Sequence, residues 1–371
     1  MKSSNKILFY DTQISEEAKI YLNDVISSNF ISAGNVADDF EKSLSRELGI
    51  INPVSVNSGT SALHLALEVA GISSGDEVIL PAQTFIASGL SILMAGAKPV
   101  FADIQYDTGN IDPKFIEDNI TKRTKAIMPV HWGGYPCDMD EINEIAKKFD
   151  LIVIEDAAHA LGATYKNKVI GSISDFTAFS FQAIKHLTTG DGGALCCKSD
   201  RHYKVSKNLR WFGIDRDNSK LSNLGEREYD IHDIGYKYHM NDIAAAIGIG
   251  NLENFSKKLK RIREISSIYI NEISNLKGLS LLNYENDRQS AYWLFTILVE
   301  KRSDFIAKMN NEKIPVSVVH QGINKYSVFE SRDIQLKNQN KFDNNQISIP
   351  IHASLTDSDV KKITDAIKGG W

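Results

Sequence analysis

Cysteine and long apolar runs are both scarce in this 371-residue sequence. Its three cysteines, Cys137, Cys196 and Cys197, form no C-x-x-C pair and lie in no histidine-rich segment, so we predict neither a disulfide framework nor a metal site. No segment approaches the roughly 20 apolar residues that span a bilayer, and the first residues lack the apolar stretch of a signal peptide. We therefore expect a cytoplasmic protein that has no membrane partner.

The sequence also has little excess charge of either sign. Its 42 Lys and Arg residues oppose 47 Asp and Glu residues, for a formal net charge of −5. The basic residues form no stripe that would follow a phosphate backbone, so we expect no nucleic-acid partner. Hydrophobic residues make up 42% and charged residues 24%, as in ordinary globular proteins. The chain is long enough for one large domain and a smaller second domain.

Short apolar runs alternate with helical or glycine-led stretches between residues 52 and 197. Such alternation predicts an α/β fold with a mainly parallel sheet that has helices on its faces. The seven runs are PVSVN, DEVILP, AKPVFAD, TKAIMPV, FDLIVIED, FTAFSF and GALCC. Several of them end in loops that carry Gly, Asp, Ser or Thr, and ligands of open α/β sheets bind beyond the carboxyl ends of the strands. We therefore expect the functional site at that edge of the sheet.

The remaining segments predict an N-terminal helical arm and a separate C-terminal region. The first fifty residues have the pattern of two helices joined by a turn. Residues 241–275 show one long helical pattern, which we expect to connect two domains. Beyond it, AYWLFTILVE and KIPVSVVHQ are typical of strands, and residues 357–367 of a closing helix. We predict a large domain over residues 1–250, which includes the arm, and a small α+β domain over residues 251–371.

The segment VSVNSGTSALHLALEVAG combines a predicted strand, a turn over residues 57–61 and an apolar-periodic helix. Backbone N–H groups at the start of a helix lie at the positive end of its dipole and bind anions, and Gly59 permits a close backbone approach. A phosphate group is the natural guest of such a turn. A plain N-cap by Ser or Thr is the commoner explanation for an isolated S-G-T before a helix, so this motif alone leaves both open.

A carboxylate ends the predicted strand LIVIED at Asp156, and Ala157, Ala158 and His159 follow it. An acid at that place can pair with a protonated heteroaromatic nitrogen, so that the ring withdraws electrons from an attached carbanion. The small alanines leave room for a flat ring. A strand-terminal Asp is also often a cap or a turn former, and His159 can be a polar residue without a chemical role, so this segment is not decisive by itself.

The segment DFTAFSFQAIKHLTTGDGGALCC places Lys185 in a loop between two predicted strands, near Ser180. A lysine held among apolar and hydroxyl neighbours can lose its proton near neutral pH and form a Schiff base, while Ser180 can donate to a phosphate. Lys185 is therefore the candidate nucleophile. The alternatives are an ordinary surface lysine and a plain hairpin turn at Gly-Asp-Gly-Gly.

These three segments, in this order, resemble those of the DegT/DnrJ-type sugar aminotransferases, which have the aspartate-aminotransferase-like fold of pyridoxal-phosphate enzymes. The resemblance covers nearly the whole chain, from NFISAGNVADDFEKSLSRELG through PAQTFIAS, EDAAHALGATYKNKVIG and SFQAIKHLTTGDGG to GYKYHMNDIAAAIG. It implies a large domain with a mainly parallel seven-stranded sheet between helices, followed by a smaller α+β C-terminal domain. It also implies pyridoxal 5′-phosphate as the cofactor.

The resemblance assigns one group of residues to the phosphate of that cofactor. Gly59, Thr60 and Ser61 would hold it together with Ser180. Asn241, from the MNDIAAA segment, would reach the phosphate from a second subunit, so the resemblance implies a homodimer with shared active sites. The same Asn241 is also a suitable helix N-cap, and the two roles are compatible.

The resemblance assigns a second group of residues to the cofactor ring. Phe85 would stack on the pyridine ring, Asp156 would pair with its nitrogen, and His159 would lie near its hydroxyl group. Lys185 would attach the cofactor covalently, which makes Lys185 and Asp156 the expected catalytic residues. Without the resemblance, Phe85 is equally compatible with a core position.

The reaction type depends on the residue at position 185. Relatives that dehydrate a sugar have histidine where the aminotransferases have lysine, and here Lys185 is in register, with His186 one place later. The resemblance thus implies transfer of an amino group, with L-glutamate as the expected donor, to the keto carbon of a nucleotide-linked sugar in cell-surface polysaccharide biosynthesis. The alternatives are a small phosphorylated ketone as acceptor, a sugar dehydratase, and a non-catalytic relative that only binds the cofactor.

Candidate residues for binding the acceptor lie in two polar loops, NLRWFGIDRDNSKLSNLGEREYDIHD and HQGINKYSVFESRD. Arg210, Trp211, Arg216, His320 and Tyr326 are suited to a nucleotide diphosphate or to a smaller phosphorylated ketone. The same residues are equally compatible with solvated loops. The sequence therefore leaves the acceptor open.

Overall fold

The computed structural model describes residues 6–216, 218–331 and 334–371. The helices are α1 (Glu16–Ser28), α2 (Asn35–Leu48), α3 (Gly59–Val69), α4 (Ile86–Met94), α5 (Pro113–Asp118), α6 (Met139–Phe149), α7 (Asp200–Leu209), α8 (Asp242–Glu253), α9 (Phe255–Ile273), α10 (Arg302–Asn311), α11 (Lys337–Asn345) and α12 (Asp357–Lys368). The strands are β1 (Pro53–Val56), β2 (Glu77–Pro81), β3 (Lys98–Ala102), β4 (Thr124–Ile127), β5 (Ile152–Asp156), β6 (Thr164–Tyr165), β7 (Lys168–Val169), β8 (Phe176–Ser180), β9 (Gly193–Cys197), β10 (Lys220–Leu221), β11 (Arg227–Glu228), β12 (Leu279–Leu281), β13 (Arg288–Gln289), β14 (Phe295–Val299) and β15 (Gln346–Ile349). Within the described ranges, no helix combines the length and the apolar character needed to cross a membrane.

All seven apolar runs between residues 52 and 197 form strands of one sheet, in the order β1-β9-β8-β5-β4-β2-β3. Neighbouring strands are parallel from β8 to β3, whereas β9 is antiparallel to both of its neighbours. The predicted α/β class with a mainly parallel seven-stranded sheet is therefore confirmed. All strands except β9 point their carboxyl ends to the same edge, where the polar loops come together.

Both faces of this sheet are covered, as the continuous apolar character of its strands requires. Along β5, Val153 contributes to the core on one face and Ile154 to the core on the other, because successive side chains of a strand point in opposite directions. Helix α6 packs on the first face and helix α3 on the second. The sheet is thus clamped between two cores, and the residues at its carboxyl edge have fixed positions.

A separate antiparallel sheet, in the order β12-β14-β15, carries the C-terminal part of the chain. It forms its own core with helices α9, α10 and α12. This region therefore mixes strands and helices in the α+β manner expected of it. The division of the chain into domains at residue 250 stays a prediction.

The strand predicted for the segment KIPVSVVHQ does not form. Ser317 makes an isolated bridge there, through mutual backbone hydrogen bonds with Ser348 of 3.1 and 2.9 Å. Pro315 has no N–H to donate to a ladder, and beyond Ser317 the chain leaves the sheet, so that Val319 and His320 line a cavity. Tertiary packing therefore overrides the strand propensity of this apolar segment.

The long helix predicted over residues 241–275 is divided into α8 and α9 at Asn254. The side-chain amide of Asn254 donates to Glu17 Oε2 of α1 over 3.0 Å. Near the same junction, a Cβ on Gly250 would lie 2.2 Å from the backbone nitrogen of Ala18, so glycine lets α1 approach α8 closely. The N-terminal helices thus form an arm that is anchored where the long helix is interrupted.

A buried ion pair joins the arm to the central sheet. Arg210, which follows α7, donates from Nη1 to the carboxylate of Glu41 on α2 and, over 2.9 Å, to the carbonyl oxygen of Ser55 on β1. Only 11% of the Arg210 side chain and 6% of the Glu41 side chain are exposed. Arg210 therefore has a structural role, although the sequence also made it a candidate for binding the acceptor.

Removal of one charge of this pair is expected to destabilise the protein. Arg210→Met leaves the Glu41 carboxylate buried without its cation, and breaking a buried pair in this way costs about 3–5 kcal/mol of unfolding free energy. Arg46→Met is the matched control, because 67% of the Arg46 side chain is exposed and surface pairs contribute about 0–1 kcal/mol. Urea unfolding of both variants measures the difference, and equal losses would contradict the prediction.

Candidate active site

The carboxyl ends of β1, β2, β5 and β8 border a cavity of about 530 Å³. Its position agrees with the site expected at this edge of the sheet. Most of the residues that the resemblance assigns to the cofactor meet here. Those that line the cavity are Gly59, Thr60, Phe85, Asp156, His159, Ser180 and Lys185.

The turn between β1 and α3 forms a narrow cradle in the cavity wall. A Cβ on Gly59 would lie 2.9 Å from Ser180 Cβ, so glycine lets the start of α3 approach the end of β8 this closely. Gly59 and Thr60 are the first two residues of α3, whose amides have no acceptor within the helix and lie at its positive end. The cradle therefore offers amide donors, together with the hydroxyl groups of Thr60 and Ser180, to an anion.

Ser61 and Asn241 are not among the residues that line the cavity. Both take part in helix capping. The amide of Ser61 donates to Ser58 Oγ over 3.0 Å, and its hydroxyl group donates to Asn57 Oδ1 over 2.6 Å. Asn241 Oδ1 accepts from the amide of Ala244 over 2.8 Å at the start of α8. The capping alternatives are thus present in the structure, and a phosphate contact by either residue stays a prediction.

Asp156 is held at the end of β5 by donors to both of its carboxylate oxygens. Ser88 Oγ donates to Oδ2 over 2.6 Å, and the amide of Ala158 donates to Oδ1 over 3.1 Å. Asp156 is only 6% exposed, yet it lines the cavity. A buried carboxylate that borders a cavity is available to a cationic partner there.

The loop between β8 and β9 places Lys185 in the cavity wall. Its Nζ lies 3.7 Å from the centroid of the Trp293 indole ring. Burial lowers the pKa of Lys185 to about 7, and the charge of Asp156 opposes this effect in part. A large fraction of the amine is therefore neutral and nucleophilic at neutral pH, which is not true of an ordinary lysine.

His186 occupies a different place from Lys185. It lines a neighbouring void of about 40 Å³, whose wall also includes Lys185. Burial, together with the charge of Lys185, lowers the pKa of His186 to about 4. The lysine rather than the histidine thus lines the main cavity, and this is the register that the resemblance associates with amination.

Aromatic rings form another part of the wall. The rings of His159 and Trp293 are stacked, with centroids 3.8 Å and planes 15° apart, and the ring centroids of Phe85 and His320 are 5.2 Å apart. Burial and the Lys185 charge lower the pKa of His159 well below its ordinary value and that of His320 to about 4, so both are neutral at pH 7. His159 Nδ1 is buried and has no hydrogen-bond partner within the described part of the chain, which leaves a polar atom for a bound group.

Sequence reasoning did not identify Trp293 and Tyr10 as residues of the site. The Trp293 indole N–H donates to the carbonyl oxygen of Ile184 over 3.0 Å, which ties the lysine loop to the C-terminal region. Tyr10 stacks on Trp293, with ring centroids 5.4 Å apart. Both lie far from the motifs in sequence, and an aromatic residue within AYWLFTILVE is typical of a core strand. Aromatic character was the only signal available, and it does not separate a cavity wall from a core.

The five residues considered for binding the acceptor form two groups. His320 lines the main cavity. Trp211 and Arg216 line a separate polar cavity of about 270 Å³, where the Arg216 guanidinium group lies 5.0 Å from the Trp211 ring centroid. Arg210 borders that second cavity from within its ion pair, and Tyr326 is 55% exposed. Within one chain, therefore, the candidates do not converge on a single site.

The main cavity fits pyridoxal 5′-phosphate. The glycine cradle at the start of α3 suits a phosphate group, and the unpartnered Nδ1 of His159 suits a ring hydroxyl group. A carboxylate at Asp156 suits a protonated ring nitrogen. Because burial lowers the pKa of Lys185 to about 7, that residue supplies an amine that can bond to an aldehyde. The donor set is thus the one that this cofactor needs.

The lowered pKa of Lys185 predicts its reactivity in the cofactor-free protein. Because only the neutral amine is nucleophilic, its modification by an amine-specific reagent should be half-maximal near pH 7, about three pH units below an exposed lysine. Asp156→Asn should lower this midpoint further, since the Asp156 charge raises the pKa of Lys185. Mass spectrometry of peptides after brief modification over a series of pH values gives the rates. A midpoint like that of the exposed lysines would show that the amine is not buried.

Comparison with known proteins identifies relatives over nearly the whole chain. The model of the DegT/DnrJ/EryC1/StrS aminotransferase family matches residues 12–368. The spore coat polysaccharide biosynthesis protein SpsC of Bacillus subtilis is 36% identical over 359 residues, which cover 94% of this chain and 92% of SpsC. The GDP-perosamine synthase of Escherichia coli O157:H7 is 34% identical over 362 residues, which cover 96% of each chain.

The comparison of structures agrees with that of the sequences. The PLP form of Spr1654 from Streptococcus pneumoniae superposes with a TM-score of 0.90 at 31% identity, over 98% of each chain. The predicted cofactor, pyridoxal phosphate, and the predicted aspartate-aminotransferase-like fold are thereby confirmed. The chain belongs to the DegT/DnrJ/EryC1/StrS aminotransferase family of pyridoxal-phosphate enzymes.

Proposed function

We propose that this aminotransferase transfers an amino group from L-glutamate to the keto carbon of a nucleotide-linked sugar. The observation that carries the proposal is the Lys185 amine, whose pKa burial lowers to about 7, in one cavity with Asp156. The acceptor class is supported by the relatives, one of which is a GDP-perosamine synthase and another a spore coat polysaccharide biosynthesis protein. We assign the product to the biosynthesis of cell-surface polysaccharides, and the enzyme to the cytoplasm.

In this proposal the cradle at the start of α3 would hold the phosphate of the cofactor. Gly59, Thr60 and Ser180 bind it there, because the positive end of the helix and the hydroxyl groups stabilise an anion. Ser61 belongs to the same turn, and its capping bonds hold the turn in shape. Asn241 of the partner subunit completes the set in a homodimer with shared active sites. The helix cap uses Oδ1 of this residue, so Nδ2 is the atom that donates to the phosphate.

The remaining residues fix the ring of the cofactor. Phe85 would pack on the ring, Asp156 would hold the proton on the ring nitrogen, and His159 would bond the ring hydroxyl group through its unpartnered Nδ1. Because the imidazole of His159 is stacked on Trp293, its orientation is fixed before a ligand binds. A preformed orientation of this kind lowers the entropic part of the reaction barrier.

Lys185 performs the proton transfers. When bound, pyridoxal phosphate supplies an electron sink for the bond that breaks at the α carbon of the donor. The neutral amine of Lys185 takes the proton from that carbon and later delivers a proton, as a general base and then a general acid. The Trp293 ring covers the amine at 3.7 Å and limits the access of water. The donor leaves as a 2-oxo acid, and its amino group is found on the former keto carbon of the acceptor.

The proposed function is tested by measuring 2-oxoglutarate formed from L-glutamate with a panel of acceptors. Without an acceptor, about one equivalent per active site is expected, because the amino group has no further destination. A keto-sugar nucleotide should make the production continuous. Small phosphorylated ketones in the same panel test the alternative acceptor class. Loss of oxygen from the sugar without consumption of glutamate would identify a dehydratase instead.

Replacement of Lys185 is expected to abolish turnover. Lys185→Ala removes the attachment point of the cofactor together with the acid and base, so the rate should fall by about 10³-fold or more. Lys168→Ala is the control, since Lys168 is an exposed residue of β7. Both variants are assayed by 2-oxoglutarate formation. Turnover by Lys185→Ala at the normal rate would refute the assignment.

Shared active sites predict that a Lys185 variant and an Asn241 variant complement each other. Asn241→Ser removes the amide but keeps a residue that caps α8. In a mixed dimer of Lys185→Ala and Asn241→Ser chains, one of the two sites has both native residues. An equal mixture should therefore recover about one quarter of the native activity, since about half of the dimers are mixed and each has one native site. Activity equal to the average of the separate variants would show that each site is built from one chain.

A further inference from the structure

A chain of buried hydroxyl groups leads from the start of helix α4 to Asp156. Ser88 Oγ lies 2.6 Å from Asp156 Oδ2, and Thr84 Oγ1 lies 2.6 Å from Ser88 Oγ. Ser88 is fully buried, so water does not compete for its bond to Asp156, whereas Thr84 is 1% exposed and lines the cavity. Ser88 is not among the residues that line the cavity. Its hydroxyl group therefore acts on Asp156 and not on a ligand.

The number of available protons sets the direction of this chain. A carboxylate only accepts hydrogen bonds, so Ser88 donates its single hydroxyl proton to Asp156. Thr84 then donates to Ser88, because the Ser88 hydroxyl group has no second proton to offer. The amide of Ala158 donates to the other carboxylate oxygen over 3.1 Å. Both oxygens are thus held, and rotation of the carboxylate would break both bonds.

The same helical turn carries a residue of the cavity wall. Phe85 is the N-cap of α4 and lines the cavity, while Ser88 lies in the first turn of that helix. The positive end of the α4 dipole is consequently near the Asp156 carboxylate and favours its negative charge. The position of Phe85 and the orientation of Asp156 therefore depend on one rigid turn.

We infer that Ser88 is a positioning residue that fixes the orientation of the Asp156 carboxylate, and that Thr84 orients Ser88 in turn. The inference rests on the proposed contact between Asp156 and the ring nitrogen of the cofactor. Hydrogen bonds to a charged acceptor are among the stronger ones in proteins. Without the bond from Ser88, the carboxylate is held by one amide alone. We then expect its noncovalent interaction with the ring nitrogen of the cofactor to weaken.

Ser91 provides a matched control on the same helix. It is fully buried like Ser88, but its hydroxyl group donates to the backbone carbonyl oxygen of Ser88 over 2.9 Å, within the helix. Ser91→Ala therefore removes a buried hydroxyl group from α4 and leaves the chain to Asp156 intact. An equal loss of cofactor binding in Ser88→Ala and in Ser91→Ala would report only on the stability of the helix.

The test measures noncovalent binding of pyridoxal phosphate in a Lys185→Ala background, where no covalent bond masks the contacts of the ring. Ser88→Ala is expected to raise Kd by about tenfold, which corresponds to one hydrogen bond to a charged group. The Kd of Ser91→Ala should stay within about threefold of the background value. The same is expected of Ser88→Thr, because it keeps the hydroxyl group. Visible circular dichroism of the bound cofactor should weaken in Ser88→Ala alone, because this signal depends on a fixed ring orientation.

Thr84→Val supplies a second variant, which keeps the side-chain shape and removes the hydroxyl group that donates to Ser88. We expect a smaller rise in Kd than for Ser88→Ala. In the Ser88→Ala background, Thr84→Val should have no further effect, because the chain is already broken. Independent, additive effects of the two substitutions on Kd would show that Thr84 does not act through Ser88.

Asp156→Asn distinguishes this inference from the proposed function. If Asp156→Asn leaves Kd and the circular dichroism unchanged, the contact between Asp156 and the ring nitrogen is wrong, and the proposed site fails with it. If Asp156→Asn weakens binding while Ser88→Ala behaves like Ser91→Ala, the site stands and the positioning role of Ser88 is refuted. A loss in Ser88→Ala that Ser88→Thr restores supports the role.

Discussion

The site depends on one amine that is held inside the protein next to a carboxylate. Burial disfavours the ammonium form of Lys185, and the charge of Asp156 offsets this only in part, so the pKa of the amine falls to about 7. A buried polar group costs free energy, and the rest of the fold must supply it. The burial of apolar side chains in the two cores, one on each face of the central sheet, supplies this free energy. The lysine is consequently neutral enough to react and is close to an acid that stabilises its charged form.

Two adjacent acidic residues of the central sheet have different roles. Glu155 and Asp156 are neighbours on β5 and point to opposite faces of the sheet. Glu155 is fully buried and accepts from Thr177 Oγ1 over 3.1 Å. Because the amide of Cys137 donates to His131 Nδ1, the ring proton of His131 is on Nε2 and is donated to Glu155 over 2.8 Å. Glu155 thus stabilises the sheet, while Asp156 lines the cavity.

Segments remote from the motifs complete the cavity. The N-terminal segment contributes Tyr10, and the C-terminal region contributes Trp293 and His320. Trp293 is central among these, because it bonds the lysine loop through the carbonyl oxygen of Ile184, stacks on His159 and covers the amine. The sheet therefore supplies the anion cradle and the acid, whereas the ends of the chain supply the walls that keep water from the amine.

The sequence by itself determined the seven strands of the central sheet and the polar residues at their carboxyl ends, because apolar runs and strand-end motifs are local patterns. The same motifs were enough to identify the family. Only the tertiary structure decided that KIPVSVVHQ leaves its sheet, that the helix over residues 241–275 divides at Asn254, and that Trp293 covers Lys185. It also decided that Ser88 reaches Asp156. These features arise from contacts between segments far apart in the chain, and no local period of apolar residues records which distant segments will meet.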